Sequence, residues 1–323
     1  MQSLTAPDHP QTTRGRWIWL LSGTLTIGVI GAFGSFAILR AADPPNGPLP
    51  MSALPTRTFT VVQPVSALNI QSYGAPIKVT TAAGGPVRIA ESVTYSEGGG
   101  PPAVTRTDVR GLLTLAAPRC ANSDCSVGFS VTVPSGVTVT AEASGGGVTV
   151  VGTKAADIDS GGGPVYAAGI SGPVTVNSEG GGVTVTGAGA TQVDSGGGPV
   201  TASAINGPLG VSAEGGGIEA SGVTGALNVD TGGGPLAATS LKSSSAVVRG
   251  EGGGVALGFL TAPASVRVDT GGGNASLSVP GGPYAVTTDT GGSDQSVLIA
   301  TSPSAASSIS VSTEGGNLQI GPA

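Results

Sequence analysis

Triple-glycine segments recur along the second half of this 323-residue chain. They begin at Gly145, Gly161, Gly180, Gly196, Gly215, Gly232, Gly252 and Gly271, and Gly-Gly versions follow at Gly291 and Gly315. Between them run short segments such as VTVTG and ALNVD, in which aliphatic and polar residues alternate as in half-buried strands. A unit this short cannot bury its own apolar side, so the copies must stack. The pattern predicts an all-β parallel β-helix, or β-solenoid, with Gly-rich turns over residues 142–323.

The glycine corners are of two alternating kinds. One reads Asp-Ser/Thr-Gly-Gly-Gly and starts at Asp159, Asp194, Asp230 and Asp269, and the other reads Glu-Gly-Gly-Gly and starts at Glu179, Glu214 and Glu251. Because like residues stack on like in solenoids, the alternation favours a coil of about 36 residues, which contains both kinds. A coil of about 18 residues, which mixes the two kinds in one column, is the alternative.

The composition suits a narrow solenoid better than an ordinary globular core. Only 3% of residues are aromatic, and aromatic side chains usually supply much of a globular core's buried area. The 57 glycines fall well short of one residue in three, which excludes a collagen repeat. The formal net charge of −6 argues against a nucleic-acid partner, whose backbone is also negative.

Residues 17–39 form an uncharged apolar run of 23 residues. A helix of that length, rising about 1.5 Å per residue, spans the roughly 30 Å hydrocarbon core. Trp17 and Trp19 begin the run, as in an interfacial aromatic belt, and Leu39 ends it. The run therefore predicts a transmembrane α-helix that anchors the chain in lipid, in preference to a cleaved signal peptide, whose apolar region is shorter. Arg14 and Arg16 before the run favour a cytoplasmic N-terminus and an extracytoplasmic remainder at the plasma membrane.

The helix divides the chain into five predicted parts. Residues 1–16 form a short cytoplasmic tail, and residues 40–54 form a Pro-rich, extended linker. Residues 55–141 contain strand-like runs without the triple-glycine period. We expect this part to cap the solenoid, because open strand edges invite aggregation.

The stretch CANSDCSVGFSVTVPSGVTVTAEASGGGVTV, residues 120–150, combines a cysteine pair, a strand, a Val-Pro-x-Gly-Val step and the first Gly-rich turn. It resembles the bacterial putative-adhesin family of β-strand-repeat proteins, a domain of unknown function common in actinobacteria. The resemblance covers roughly residues 55–320. It implies a β-helix in the cell envelope and carries over no catalytic residue. The triple glycines depart from the single Ser/Thr-Gly-Asp-like turn that is usual in that family.

The motif DSGGGP, at Asp159–Pro164 and Asp194–Pro199, is similar to the nucleophile loop of chymotrypsin-like proteases. That mechanism needs a histidine to accept the serine proton, and the single histidine, His9, lies on the predicted cytoplasmic side. Solenoid lyases and hydrolases need carboxylates clustered with basic or aromatic groups in a groove, and no such pattern is seen. We therefore predict no catalytic residue, no cofactor and no enzymatic activity.

Four corner carboxylates are candidate calcium ligands: Asp159, Asp194, Asp230 and Asp269. Calcium takes six to eight oxygen ligands, and stacked corners would align these side chains. Repeat-linked calcium sites, however, carry the acid after the glycines, whereas here it precedes them. The favoured interpretation is that each Asp accepts hydrogen bonds from amides of its own turn, so that no metal site is predicted.

Cys120 and Cys125 are the only cysteines and are separated by four residues. In an oxidising compartment we expect them to form a disulfide that closes this small loop. A zinc site is disfavoured because there is no second cysteine pair or nearby histidine.

These features together predict a membrane-anchored, extracytoplasmic module of the cell envelope that binds or supports without catalysis. Its expected partners are membrane lipid, through the helix, and a cell-wall polymer, a cell-surface molecule or a membrane protein. The alternative is a membrane-bound sensor or regulator of envelope stress. Because only 16 residues precede the helix, such a regulator would act through a partner membrane protein.

Overall fold

The computed structural model describes residues 50–117, 119 and 125–323. This part of the chain is all-β and forms a solenoid, which confirms the predicted fold class. Within it, no helix is long and apolar enough to cross a bilayer. The predicted transmembrane helix over residues 17–39, with Trp17, Trp19 and Leu39, lies outside the described residues, so the anchor stays a prediction.

The described residues form 28 strands. The first eight are β1 (Met51–Ala53), β2 (Arg57–Val61), β3 (Ala67–Ser72), β4 (Gly74–Ala82), β5 (Val87–Ser96), β6 (Thr105–Val109), β7 (Leu112–Ala116) and β8 (Cys125–Pro134). The next ten are β9 (Thr138–Ala143), β10 (Val148–Val151), β11 (Ala155–Ser160), β12 (Val165–Ile170), β13 (Val174–Ser178), β14 (Val183–Ala188), β15 (Thr191–Ser195), β16 (Val200–Ile205), β17 (Leu209–Ala213) and β18 (Ile218–Ser221). The last ten are β19 (Leu227–Thr231), β20 (Leu236–Leu241), β21 (Ser245–Gly250), β22 (Val255–Phe259), β23 (Ser265–Asp269), β24 (Ala275–Val279), β25 (Ala285–Asp289), β26 (Gln295–Val297), β27 (Ser308–Ser312) and β28 (Leu318–Pro322).

The strands form two sheets that enclose one core. Sheet 1 has 15 strands in the order β1-β5-β8-β4-β10-β12-β14-β16-β18-β20-β22-β24-β28-β26, with β2 also paired to β5. Sheet 2 has 13 strands in the order β6-β7-β3-β9-β11-β13-β15-β17-β19-β21-β23-β27-β25. From β9 to β24 each coil consists of a sheet 2 strand, a glycine corner and a sheet 1 strand. With neighbouring strands about 4.8 Å apart, sheet 2 extends over about 58 Å.

The register fixes the coil length. Along sheet 2, Ala156 pairs with Val174, Val174 with Thr191, and Thr191 with Leu209, which are steps of 18, 17 and 18 residues. The expected coil of about 36 residues is therefore wrong, and both kinds of corner stack in one column.

The alternation of corners has a packing reason within that column. Each corner has four residues: Gly161, Gly162, Gly163 and Pro164 in one coil, and Glu179, Gly180, Gly181 and Gly182 in the next. The first position thus alternates between Gly and Glu, and the fourth between Pro and Gly. A Cβ atom on Gly196 would lie 2.4 Å from the carbonyl oxygen of Glu179 below it. The glycine at the first position therefore leaves room for the backbone of the Glu corner on which it stacks.

The core consists of small aliphatic side chains stacked in columns. Val176, Val193, Val211 and Val229 occupy one such column, and none is more than 2% exposed. Burying each of these side chains contributes on the order of 1.5 kcal/mol. The uniform size of the stacked residues lets successive coils follow each other without a change in cross-section.

Both ends of the stack depart from chain order. At the N-terminal end β7 and β8 lie outside β3 and β4, and at the C-terminal end β25 and β26 lie outside β27 and β28. The final coil, β27 and β28, is consequently paired on both sides. The Ala323 amide donates to the Val279 carbonyl at 3.2 Å, so the chain's last residue is held against the preceding coil.

Candidate binding surface

A continuous column of polar side chains runs along the outward face of sheet 2. We call it the polar ladder, and its members, in stacking order, are Gln71, Glu142, Asp159, Asn177, Asp194, Ser212, Asp230, Arg249 and Asp269. From Asp159 onward, an acidic residue alternates with a neutral or basic one. Like charges on adjacent strands would repel, so this order lets the column carry several carboxylates.

Two hydrogen bonds link rungs of the polar ladder directly. The Asn177 Nδ2 donates to Asp159 Oδ1 at 2.7 Å, and the Gln71 Nε2 donates to Glu142 Oε2 at 2.9 Å. Both pairs lie on the solvent side of the sheet. Side-chain amides between the carboxylates therefore help to hold the ladder in register.

All four candidate calcium ligands fall in the polar ladder, with one strand between each successive pair. At about 4.8 Å per strand, neighbouring candidates are about 9.6 Å apart. Calcium binds its oxygen ligands at about 2.3–2.6 Å, so this spacing does not bring two of the four to one ion. Over residues 50–117, 119 and 125–323, no group of three or more His, Cys, Asp or Glu side chains is arranged to hold a metal.

The buried hydroxyl next to the ladder residue closes the corner. Ser160, Ser178 and Ser195 point inward and are 3–4% exposed. Their Oγ atoms donate to the carbonyls of the glycine at the third corner position, Gly163, Gly181 and Gly198, at 2.7–3.0 Å. The sequence predicted that each of the four corner Asp residues accepts from amides of its own turn, but at the Asp159 and Asp194 corners the bond comes from the neighbouring Ser. A bond of the predicted kind occurs at Asp289, whose Oδ1 accepts from the Gly291 amide at 3.1 Å.

The same geometry explains the DSGGGP motif. Ser160 and Ser195 are buried against the corner, and each hydroxyl is bonded to a carbonyl oxygen. A serine nucleophile needs an accessible hydroxyl beside a general base. The motif is therefore a stacked turn in this fold.

The part of the polar ladder from Glu142 to Ser212 and two corner glutamates line a shallow groove of about 580 Å³. Its carboxylates are Glu142, Asp159, Glu179, Asp194 and Glu214, and the Arg119 side chain also lines it. Sequence reasoning did not assemble this surface, because it placed the Asp and Glu corners in separate columns. The mixed column brings both kinds of carboxylate onto one side of the solenoid.

A second groove, of about 830 Å³, follows the outward face of sheet 1. Its floor consists of small side chains, among them Thr201, Ala237, Ala256 and Ser276, and Pro199 and Pro235 lie along its side. Tyr166 is 44% exposed and stands two strands before Thr201 in the same outward column. The two faces of the solenoid thus differ, sheet 2 being strongly acidic and sheet 1 largely uncharged.

Cys125 begins β8, is 8% exposed and is disulfide-bonded. Cys120 lies outside the described residues, so the Cys120–Cys125 pairing stays a prediction. His9 lies outside them as well.

Three solved structures are similar to this chain. A putative adhesin from Parabacteroides merdae is 13% identical, with a TM-score of 0.34, over 84% of this chain and 95% of that chain. A putative adhesin from Bacteroides fragilis is 14% identical, with a TM-score of 0.31, over 84% and 97%. A putative cell adhesion protein from Clostridium sporogenes is 9% identical, with a TM-score of 0.19, over 83% and 99%.

No protein-family model and no curated protein sequence matches the chain. At such low identities and TM-scores the three likenesses carry no argument about what this protein binds. The three structures do not test the predicted resemblance to proteins of the actinobacterial type, which stays a prediction.

Proposed function

We propose that this protein is a non-catalytic, adhesin-like binding or structural module of the cell envelope. In this proposal the predicted helix over residues 17–39 anchors it, and the solenoid extends from the outer side of the plasma membrane. The observation that carries the proposal is the polar ladder, which sets exposed polar groups at regular intervals across nine strands, from β3 to β23, a length of about 38 Å.

The way in which the residues are used supports a binding role over a catalytic one. The motif serines are buried and bonded to corner carbonyls, and the ladder carboxylates lie apart along a column. A regular array on a rigid support suits a ligand that itself repeats, because many weak contacts then act together. The acidic groove favours a partner surface with positive charge, since the summed field of its carboxylates attracts cations.

The test is a pull-down from native envelope fractions with the full chain in mild detergent. We expect the wild-type protein to retain a wall polymer or surface component, and the variant Asp159→Asn/Asp194→Asn/Asp230→Asn to retain at least fivefold less at low salt. Glu219→Gln, on the sheet 1 face, is the matched control and should bind like wild type. Equal retention by the ladder variant would refute the role of this face. Recovery of one stoichiometric membrane protein would instead favour the regulator.

A further inference from the structure

The C-terminal end of the solenoid presents an unpaired sheet edge. Among the described strands, β25 pairs only with β27, and β26 pairs only with β28. An unpaired edge is a template for another strand, and proteins usually blunt such edges with Lys, Pro or a bulge. β25 has the sequence AVTTD and contains no Lys, Arg or Pro.

Apolar side chains surround this edge. Leu298 is 66% exposed, and Val286, Val297 and Ile299 are only partly buried where the core ends. At the N-terminal end the edge strands β2 and β6 are antiparallel to their partners, and each carries an arginine, Arg57 or Arg106. The two ends of the solenoid are therefore not equivalent, since the β25 edge lacks the basic residue that β2 and β6 carry.

The hydrogen bonds of β25 show which backbone groups are free. The Ala285 amide donates to the Ser307 carbonyl, and the Asp289 carbonyl accepts from the Thr313 amide, both at 2.8 Å. Residues 285 and 289 therefore turn their backbone groups toward β27. Because alternate residues of a strand bond to opposite sides, the backbone groups of Val286 and Thr288 face the open edge.

We propose that a second copy of this chain binds here, with the two β25 strands antiparallel about a two-fold axis at Thr287. In that register Val286 of each copy faces Thr288 of the other, so the free backbone groups of both strands are paired. Thr287 then faces its own counterpart, and Asp289 faces Ala285, so no like charges in β25 oppose each other. The contact is isologous, as closed two-fold dimers require.

The same axis also brings the apolar ends together. A two-fold axis normal to sheet 2 keeps the inner faces of both copies on the same side, so the two cores meet end to end. Val286, Val297 and Ile299 are then covered by their counterparts. Because the contact is confined to the end of a two-sheet solenoid, we expect it to bury less than the roughly 1,200 Å² of stable interfaces. The association is therefore weak for one pair and effective when many anchored copies meet.

The biological consequence rests on the proposed function, whereas the contact itself does not. If the predicted helix anchors the N-terminal end, a contact between C-terminal ends joins solenoids from two facing surfaces. Adhesion between cells that carry the same protein would follow from such a contact.

Cysteine crosslinking of the purified full chain in detergent tests the contact. Facing Cβ atoms across an antiparallel pair lie about 4.5–5.5 Å apart, close to the spacing that a disulfide bridges. We expect Thr287→Cys to form a covalent dimer under mild oxidation. Asn228→Cys, on the outward face of β19, is the control for random collision and should give at least tenfold less dimer.

Two further variants test the register. Adding Thr288→Pro to Thr287→Cys removes the Thr288 amide, which faces the open edge and does not bond to β27. The yield of covalent dimer should therefore fall at least fivefold. Adding Leu298→Asp, at an exposed position, should have a similar effect without touching the sheet. The proposal would be overturned if Thr287→Cys gave no more covalent dimer than Asn228→Cys. It would also be overturned if neither added change lowered the yield of covalent dimer. The purified protein is tested without envelope, so loss of envelope binding and loss of crosslinking are separate results.

Discussion

The guanidinium of Arg106 lies over the ring of Phe59, 4.2 Å from its centroid, and its Nε donates to Glu91 Oε2 at 3.0 Å. Glu91 is 2% exposed and points into the N-terminal end of the core. This end is thus closed by a buried carboxylate, the cation that neutralises it and an aromatic ring. All three residues lie within residues 55–141, the part of the chain that is predicted to cap the solenoid.

We predict that Arg106→Ala strongly destabilises the protein. The substitution leaves the buried Glu91 carboxylate unpaired, which costs about 3 kcal/mol. Arg110→Ala, in the exposed β6–β7 turn, is the control and should change the free energy of unfolding by less than about 0.5 kcal/mol. Urea unfolding followed by far-ultraviolet circular dichroism measures both. Equal stability of the two variants would contradict the role of the Arg106–Glu91 pair.

The glycine at the third corner position cannot carry a side chain. A Cβ atom on Gly181 would lie 2.1 Å from the carbonyl oxygen of Gly163, whereas one on Gly180 would meet nothing within 4 Å. Gly181→Ala should therefore destabilise by more than about 3 kcal/mol, because the backbones of two coils must separate. Gly180→Ala should leave stability unchanged or raise it by up to about 1 kcal/mol. Thermal melting compares the stabilities of the two variants. Similar melting temperatures would show that the coils do not stack as described.

Removing a corner hydroxyl should have opposite effects on stability at Ser178 and at Thr231. Ser178→Ala removes the bond from Oγ to the Gly181 carbonyl at 3.0 Å and should cost about 1 kcal/mol. Thr231 occupies the equivalent place, is fully buried, and its Oγ1 has no hydrogen-bond partner among the described residues. Thr231→Val should therefore stabilise by about 1 kcal/mol, since an unpaired hydroxyl is removed from the core. Destabilisation by both substitutions would indicate that Thr231 has a partner in solution.

Alkaline pH should weaken the C-terminal end. Burial raises the pKa of the Tyr284 phenol above its ordinary value of 10.0, and the hydroxyl donates to the Pro280 carbonyl at 2.6 Å. The unfolded chain then loses this proton before the folded one, so Tyr284 contributes its full stability below about pH 10 and less above it. Urea titrations from about pH 8 to about pH 11 should show a smaller decline for Tyr284→Phe than for wild type. Parallel declines would exclude Tyr284 as a source.

The fold class could be predicted from the sequence because a few consecutive residues specify each turn and each strand. A triple glycine followed by alternating aliphatic residues is a turn and a half-buried strand wherever it occurs, and a repeated unit must stack. The coil length was predicted wrongly because the rule that like stacks on like fails in this column. In that column a Cβ atom on Gly196 would meet the backbone of Glu179, and one on Gly147 would lie 3.3 Å from the Pro164 ring, so each Glu or Pro stacks on a glycine.

Features that join distant residues were not predictable from a single sequence. Phe59, Glu91 and Arg106 lie on three strands, and no spacing pattern links them. The placement of β27 and β28 beneath β25 and β26 likewise reverses chain order, whereas sequential stacking is the default for repeats. The acidic groove could not be predicted from the sequence, because it depends on the Asp and Glu corners sharing one column.

Disulfide formation between positions of the polar ladder tests most directly which strands lie next to each other. Adjacent rungs such as Asp159 and Asn177 have Cα atoms about 4.8 Å apart, within disulfide reach, whereas Asp159 and Asp194 are about 9.6 Å apart, beyond it. We predict that Asp159→Cys/Asn177→Cys forms an intramolecular disulfide in the oxidised full chain, identified by peptide mass mapping, and that Asp159→Cys/Asp194→Cys does not. A disulfide in the second variant but not the first would restore the 36-residue coil and contradict the stacking described above.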